Sequence, residues 1–289
     1  MRHKRSGDIE LALSAAARTH PFHSNEITRA TAFVVIFIVV PCLNERENLP
    51  GLFASLRECA RAVGGRIVFV DDGSSDGSGQ LARQLAEEIP LTLLTHEVNR
   101  GLGAAVASGL ELVLREGHDD DVVITVESDN TADLGDVPRL IECLEGGADV
   151  AMASYLAPGG SVVGVSRWRV GASRAVAGLF RVAGGLREFH QITPLYRAYR
   201  LSALRRAAER DGEDLITETG FAVNVELLLK LRGAGARVVE VPTTLDWTRR
   251  RGHSTMPVLS TARAYFRLLL RSRPPRRDSR HAPALSTER

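Results

Sequence analysis

The stretch Val122–Leu134, VVITVESDNTADL, constrains this chain more than any other. Its apolar and β-branched residues Val122–Val126 run straight into two carboxylates, Glu127 and Asp129. A run without polar alternation reads as a strand buried on both faces, which implies a parallel sheet covered by helices. Acidic residues that end such a strand stand at the sheet's carboxyl edge, where open α/β sheets form their ligand crevice. Two carboxylates so close repel each other, so a cation is expected between them. Hard oxygen ligands suit Mg²⁺ or Mn²⁺, ions that often also hold substrate phosphates. The plain alternative for an isolated E-x-D is a solvated turn, and the rest of the chain decides between the two.

The same grammar recurs along the sequence. Phe33–Val40 is a continuous β-branched run stopped by Pro41. Asn44 and Glu47 have the types of a capping box, and Leu49, Leu52, Phe53, Leu56, Ala60 and Val63 follow at helical spacing up to Gly64-Gly65. Arg66–Val70 reads as a second strand, ended by Asp71-Asp72, with a helix to Ile89 and a third strand at Leu91–Leu94. Asn99-Arg100-Gly101-Leu102-Gly103 opens another helix, and the acid-ended strand follows it. Further on come a helix over Val137–Leu144, a strand over Asp149–Ala153 and a helix over Ser166–Gly184. A strand within Phe189–Arg200 is expected across the sheet's far end, before a helix over Phe221–Arg232. The strand Val238–Val241 and the helix Val258–Leu270 complete the pattern. Alternating strands and helices predict an α/β fold with a mostly parallel mixed sheet flanked by helices. Glu45, Asp71-Asp72 and Glu127/Asp129 then put acidic residues at three strand ends on the ligand edge.

Several function classes fall away. The net charge is +2, so the whole-protein field makes no case for nucleic acid. Cys42, Cys59 and Cys143 offer neither a disulfide framework nor metal-ligand spacing, which suits a reducing compartment. The longest apolar run, Ala32–Val40, is about half the roughly 20 residues that span a bilayer. A cytoplasmic protein is expected, with any membrane contact peripheral, at the inner face. The helix Val258–Leu270 followed by Arg271, Arg273, Arg276, Arg277 and Arg280 is the segment suited to that contact. Gly101-Leu102-Gly103 is no dinucleotide fingerprint, because it does not follow the first strand. No Walker A sequence is present.

Taken together, the motifs resemble those of the family 2 glycosyltransferases of the GT-A fold. Pro41-Cys42-Leu43-Asn44-Glu45-Arg46-Glu47-Asn48-Leu49 looks like their opening motif. Val70-Asp71-Asp72-Gly73-Ser74-Ser75-Asp76-Gly77 and Asn99-Arg100-Gly101-Leu102-Gly103-Ala104-Ala105 match the second and third. Glu127-Ser128-Asp129 stands where the family carries D-x-D. Val239-Glu240-Val241-Pro242 with Arg249-Arg250-Arg251-Gly252-His253-Ser254 is similar to a pair found in the dolichol- and polyprenyl-phosphate mannosyltransferase branch.

The resemblance implies roles. Pro41, Leu43, Glu45, Val70 and Asp72 would frame the nucleoside of a GDP- or UDP-sugar. Ser128 would contact the donor, and Glu127, Asp129 and Thr131 would hold Mg²⁺ or Mn²⁺. Asp129 and Arg249 would serve catalysis, with Ser254 on the side of a phosphorylated or lipid-phosphate acceptor; by charge, the basic cluster Arg197, Arg200 and Arg249–Arg251 is expected to hold such an acceptor phosphate bidentately. The implied domain is 31–260, with an extension over 1–30 and a basic tail over 261–289. Four positions depart from the branch: Glu127 for Asp, Tyr155 for Arg, Gln191 for Asp and Thr255 for Lys. Gln191 cannot act as a base, which favours an acceptor oxygen that is already ionised. Two alternatives stand beside a lipid-phosphate acceptor: a soluble acceptor, or a GT-A module that binds nucleotide without catalysis.

Overall fold

The structure, a computed structural model, describes residues 34–86, 89–212, 215–252 and 257–271. The expected extension over 1–30, the departure Thr255, the acceptor-side Ser254 and the arginines beyond Arg271 lie outside the described residues. In chain order the elements are β1 (Ile36–Cys42), α1 (Leu49–Val63), β2 (Gly65–Asp71), α2 (Ser78–Leu85), β3 (Leu91–Thr95) and α3 (Leu102–Glu116). Next come β4 (Val122–Thr125), α4 (Val137–Glu145), β5 (Val150–Ser154), β6 (Ser161–Val163) and α5 (Arg167–Ala183). The chain closes with β7 (Arg197–Arg200), α6 (Leu201–Asp211), α7 (Val223–Gly233), β8 (Val238–Pro242), β9 (Thr244–Asp246) and α8 (Val258–Arg271).

Seven strands form one sheet in the order β3-β2-β1-β4-β7-β5-β8. All its pairings are parallel except those of β7, which runs antiparallel between β4 and β5. The expected place for that strand, at the sheet's far end, is therefore corrected: it sits inside. The period of two along β1 explains the layering. Ile38 and Val40 face the cluster built by α1 and α4, and Phe37 and Val39 face the one built by α3, α6 and α7. A third cluster joins Met152 of β5 to Phe180 of α5, Leu228 of α7 and Tyr265 and Leu268 of α8. The helix α8 thus packs on the domain through one stripe.

The capping-box expectation is also corrected. The helix α1 starts at Leu49 after Asn48, which makes no side-chain cap. Asn44 is instead left-handed, with φ 55°, and its side chain accepts the Ser75 N–H at 2.8 Å. Pro50, at the start of α1, suits the first turn, where its missing N–H costs nothing. The expected helix start at Asn44–Glu47 is instead a bridge from the end of β1 to the loop after β2. The short parallel pair β6–β9 and the helix α6 were not expected. The two strands have three residues each, and α6 is a largely polar helix that buries a stripe of Leu201, Leu204 and Ala207.

Gly103 shows why α3 begins with glycines. A Cβ there would lie 1.7 Å from the Glu218 carbonyl oxygen, and the Gly103 N–H donates to the Thr219 oxygen at 2.7 Å. Glycine lets the helix start press against that backbone. Gly103→Ala is expected to cost ~1–3 kcal/mol, the usual penalty of overpacking, read as a lower urea midpoint with an unchanged m-value.

Candidate active site

The carboxyl ends of β1, β2 and β4 open onto a cavity of about 770 Å³. Pro41, Leu43, Glu45, Asp72, Glu127, Ser128, Asp129 and Thr131 all line it. The expected residues of these three strand ends therefore meet in one place. Val70 does not reach it; it is fully buried in the core beneath, among the residues that face α3.

Backbone shape re-aims the two carboxylates of the β4 end. Asn130 is left-handed, with φ 61°, a conformation that asparagine tolerates better than most residues. Glu127 Oε1 accepts the Leu195 N–H at 2.9 Å, which ties β4 to the segment leading into β7. Burial, and then the charge of Asp129, pushes the Glu127 carboxyl up to about 7. Asp129 Oδ1 accepts both the N–H of Thr131 at 3.1 Å and its hydroxyl at 2.7 Å. Thr131 thus orients Asp129, and Oδ2 is the oxygen turned toward the rim.

That oxygen meets Arg250, a cation expected only as one of a cluster on the acceptor side. Arg250 Nη1 donates to Asp129 Oδ2, while its Nη2 donates to Glu45 Oε1 at 2.8 Å. Burial nonetheless holds the Glu45 carboxyl above its ordinary range, against the lowering pull of Arg250. The sequence order brings Arg250 there through β9. Leu245 bridges Ala132, and the Asp246 N–H donates to the Thr131 oxygen at 3.1 Å. The next residues, Trp247–Arg250, are thereby delivered to the Asp129 turn. A run of three arginines carries no signal for which one turns inward. The expectation for Arg249 is corrected accordingly: it is exposed on the short 3-10 helix Trp247–Arg249 and is not among the residues lining the cavity.

The expected acceptor arginines are also corrected. Arg197 begins β7 at the carboxyl edge but is fully buried, and its Nη2 donates to the Ile192 oxygen at 2.8 Å. Arg200 ends the same antiparallel strand opposite Val122, at the other edge of the sheet, where its Nε donates to the Ala148 oxygen at 3.1 Å. Strand direction decides this: residues three apart on a four-residue strand stand at opposite rims. Arg169 of α5 lines the cavity instead, its guanidinium 5.2 Å from the Trp168 ring and 4.8 Å from the Trp247 ring. Aromatic neighbours at this range hold a cation in place.

Asp72 lines the cavity with its carboxylate already occupied. It accepts the N–H groups of Arg100 at 2.9 Å and Gly101 at 2.8 Å, and His96 Nδ1 lies 2.6 Å away. Gln191 is likewise engaged, its Oε1 accepting the Tyr155 N–H at 3.1 Å and its own N–H donating to Glu240 Oε1 at 2.9 Å. Cys42 also lines the cavity, but burial pushes its thiol up to about 12, so it stays neutral and is no nucleophile.

The rim carboxylate of Asp129 fits a hard divalent cation. One guanidinium already stands between Glu45 and Asp129, so the rim accepts positive charge there. Among the described residues no group of three or more His, Cys, Asp or Glu side chains forms a closed metal site. A divalent ion held by Asp129 would therefore complete its shell with water and ligand oxygens, as Mg²⁺ commonly does. Glu127 is turned back onto the Leu195 N–H, and Thr131 supports Asp129.

Comparison with known proteins gives the family and the fold. Residues 37–211 match the model of the family described as Glycosyl transferase family 2. The chain is 32% identical over 233 residues to the polyprenol monophosphomannose synthase of Mycolicibacterium smegmatis, covering 80% of this chain and 84% of that protein. It is 32% identical over 222 residues to the undecaprenyl-phosphate mannosyltransferase of Micrococcus luteus, covering 76% and 87%. Among solved structures, glucosyl-3-phosphoglycerate synthase from Mycobacterium tuberculosis, in complex with Mn²⁺, uridine diphosphate and phosphoglyceric acid, superposes with a TM-score of 0.59 at 21% identity. That match covers 84% of this chain and 80% of the other, and it shows the shared fold. By the family match and the extent of the relatives, this chain belongs to the family 2 glycosyltransferases.

Proposed function

We propose that this enzyme moves a sugar from a nucleotide-sugar donor, a GDP- or UDP-sugar, to a phosphorylated acceptor with inversion at the anomeric carbon. The observation that carries this reading is the convergence of Glu45 and Asp129 on one cation at the rim of the cavity. A divalent ion, when bound, would neutralise the departing nucleoside diphosphate as a Lewis acid. The start of α3 at Gly101 and Leu102 also lines the cavity, and the positive end of a helix favours a diphosphate. Arg169, set between two indole rings, suits an acceptor phosphate. An ionised phosphate oxygen would form the new bond to the anomeric carbon as the bond to the diphosphate oxygen breaks. No base is needed, which accords with Gln191 at the position where the branch has Asp.

Two acceptor readings each have support. Some solved structures with this fold hold phosphoglyceric acid or glycerol 3-phosphate, which supports a soluble phosphorylated acceptor. The names of the sequence relatives point to polyprenyl phosphates, and one feature of the chain favours that second reading. Trp168, Leu179 and Val182 form an exposed stripe on α5, and Leu259, Phe266 and Leu270 form one on α8. Arg174, Arg181, Arg263 and Arg271 share these helices, which carry no Asp or Glu. Apolar stripes with arginines and no acids suit an anionic lipid surface, and both helices contribute to the cavity wall. No helix among the described residues is long and apolar enough to cross a membrane, so such contact would be peripheral.

The test is transfer by purified protein from a panel of GDP- and UDP-sugars with Mn²⁺. One arm offers soluble phosphorylated acceptors, and the other offers polyprenyl phosphate in anionic vesicles. Transfer only in the vesicle arm, lost in a Leu259→Glu/Phe266→Glu variant that no longer floats with vesicles, would establish the lipid acceptor. Transfer to a soluble phosphate would establish the first reading. No transfer in either arm would overturn the phosphorylated-acceptor reading.

A further inference from the structure

We propose that Arg250 is a latch that holds the donor rim closed by standing in for the metal, and that it moves onto the donor's diphosphate when the divalent ion takes its place. This rests on the function proposed above and assigns a positioning residue within it. The guanidinium spans the ends of β1 and β4 at the cavity rim, one nitrogen on Glu45 and the other on Asp129. All three side chains are largely withdrawn from water, at 9% exposure for Arg250, 12% for Glu45 and 14% for Asp129. An ion pair so sheltered is not a loose surface contact, and removing either partner alone is costly.

The loop that carries Arg250 is clasped at its next residue. Asn48 accepts the Arg251 N–H at 2.7 Å and donates to the Arg251 oxygen at 3.0 Å. Asn48 also donates to Glu45 Oε2. One buried asparagine therefore couples the position of this loop to the carboxylate that the latch grips. Trp247 lies 5.9 Å from the same guanidinium. A guanidinium and a divalent ion on the same Asp129 Oδ2 repel each other, so their binding is competitive. A nucleotide-sugar diphosphate brings two negative charges, and a guanidinium displaced by the metal meets them with matching bidentate geometry. The closed state thus taxes metal binding until a diphosphate arrives to receive the arginine.

The experiment measures Mn²⁺ affinity of the full-length protein by electron paramagnetic resonance, with and without UDP or GDP, for the parent and Arg250→Met. Circular dichroism and the thermal midpoint confirm that the variant is folded. With Mn²⁺ alone, Arg250→Met is expected to bind about tenfold more tightly than the parent, a typical size for coupling between two ligands. Its gain in Mn²⁺ affinity on adding the nucleoside diphosphate should be smaller, and its sugar transfer lower. Arg250→Lys, which keeps a cation, should retain weak Mn²⁺ binding. Loss of a neighbouring positive charge alone would raise Mn²⁺ affinity equally with and without the diphosphate, so an undiminished gain on adding it, or equal or weaker Mn²⁺ affinity in folded Arg250→Met, overturns the latch while leaving the proposed reaction standing. Failure of the parent to bind Mn²⁺ even with nucleoside diphosphate would overturn both the latch and the metal-dependent reading.

Discussion

Replacing Asp129 by alanine is expected to lower sugar transfer by about a thousandfold while leaving a folded enzyme. The magnitude follows from the role: stabilising the charge on a departing diphosphate is worth several kcal/mol, and about 1.4 kcal/mol is a factor of ten in rate. Asp129 is the rim carboxylate aimed by two hydrogen bonds from Thr131, with its second oxygen left for a cation. The fold should survive at a lower thermal midpoint, because what is lost is a local turn and one side of the sheltered Arg250 bridge. Release of nucleoside diphosphate is the assay, and the melting curve is the control. Thr131→Val removes one of the two bonds that orient Asp129 and should show a smaller loss in the same assay. Near-parent turnover in Asp129→Ala would separate this carboxylate from the chemistry.

The sheet and its ligand edge were legible because burial on both faces writes itself as unbroken β-branched runs, as in Ile36–Val40 and Val122–Val126. Strand ends are legible for the same reason: Glu45, Asp72 and Asp129 follow such runs, and all reach one cavity. What was not legible depends on contacts between distant segments. Nothing local marks Arg250 over Arg249, because the choice is made by the bridge between Leu245 and Ala132. Nothing local marks β7 as antiparallel, and that direction sends Arg200 to the far rim. Trp168 and Arg169 read as ordinary members of an amphipathic helix until α5 packs beside α8 and turns their end toward the cavity. The Asn44–Glu47 pattern misled because its asparagine serves the β2 turn, through Ser75, instead of the helix.

Asp72→Ala is expected to cost ~3–5 kcal/mol of stability, the range for breaking a buried charged network. The resemblance to the family casts this residue as a contact to the donor, but its geometry gives it a prior structural duty. Its side chain is 3% exposed and accepts from the backbone of Arg100 and Gly101. The carboxylate can only accept from His96 Nδ1, so the ring's other nitrogen, 3.0 Å from Ser108 Oγ, is free to accept from that hydroxyl when the ring is neutral. Alanine would strand two backbone donors and the imidazole, each unsatisfied group costing ~1–3 kcal/mol. Asparagine keeps one acceptor oxygen and should lose less. Because the stranded groups lie at the start of α3, the loss should appear twice: in the urea midpoint without any ligand, and in weaker thermal stabilisation by UDP or GDP. A residue that merely touched the nucleoside would change the second and spare the first. An unaltered urea midpoint for Asp72→Ala would therefore refute the clamp and return Asp72 to a contact residue alone.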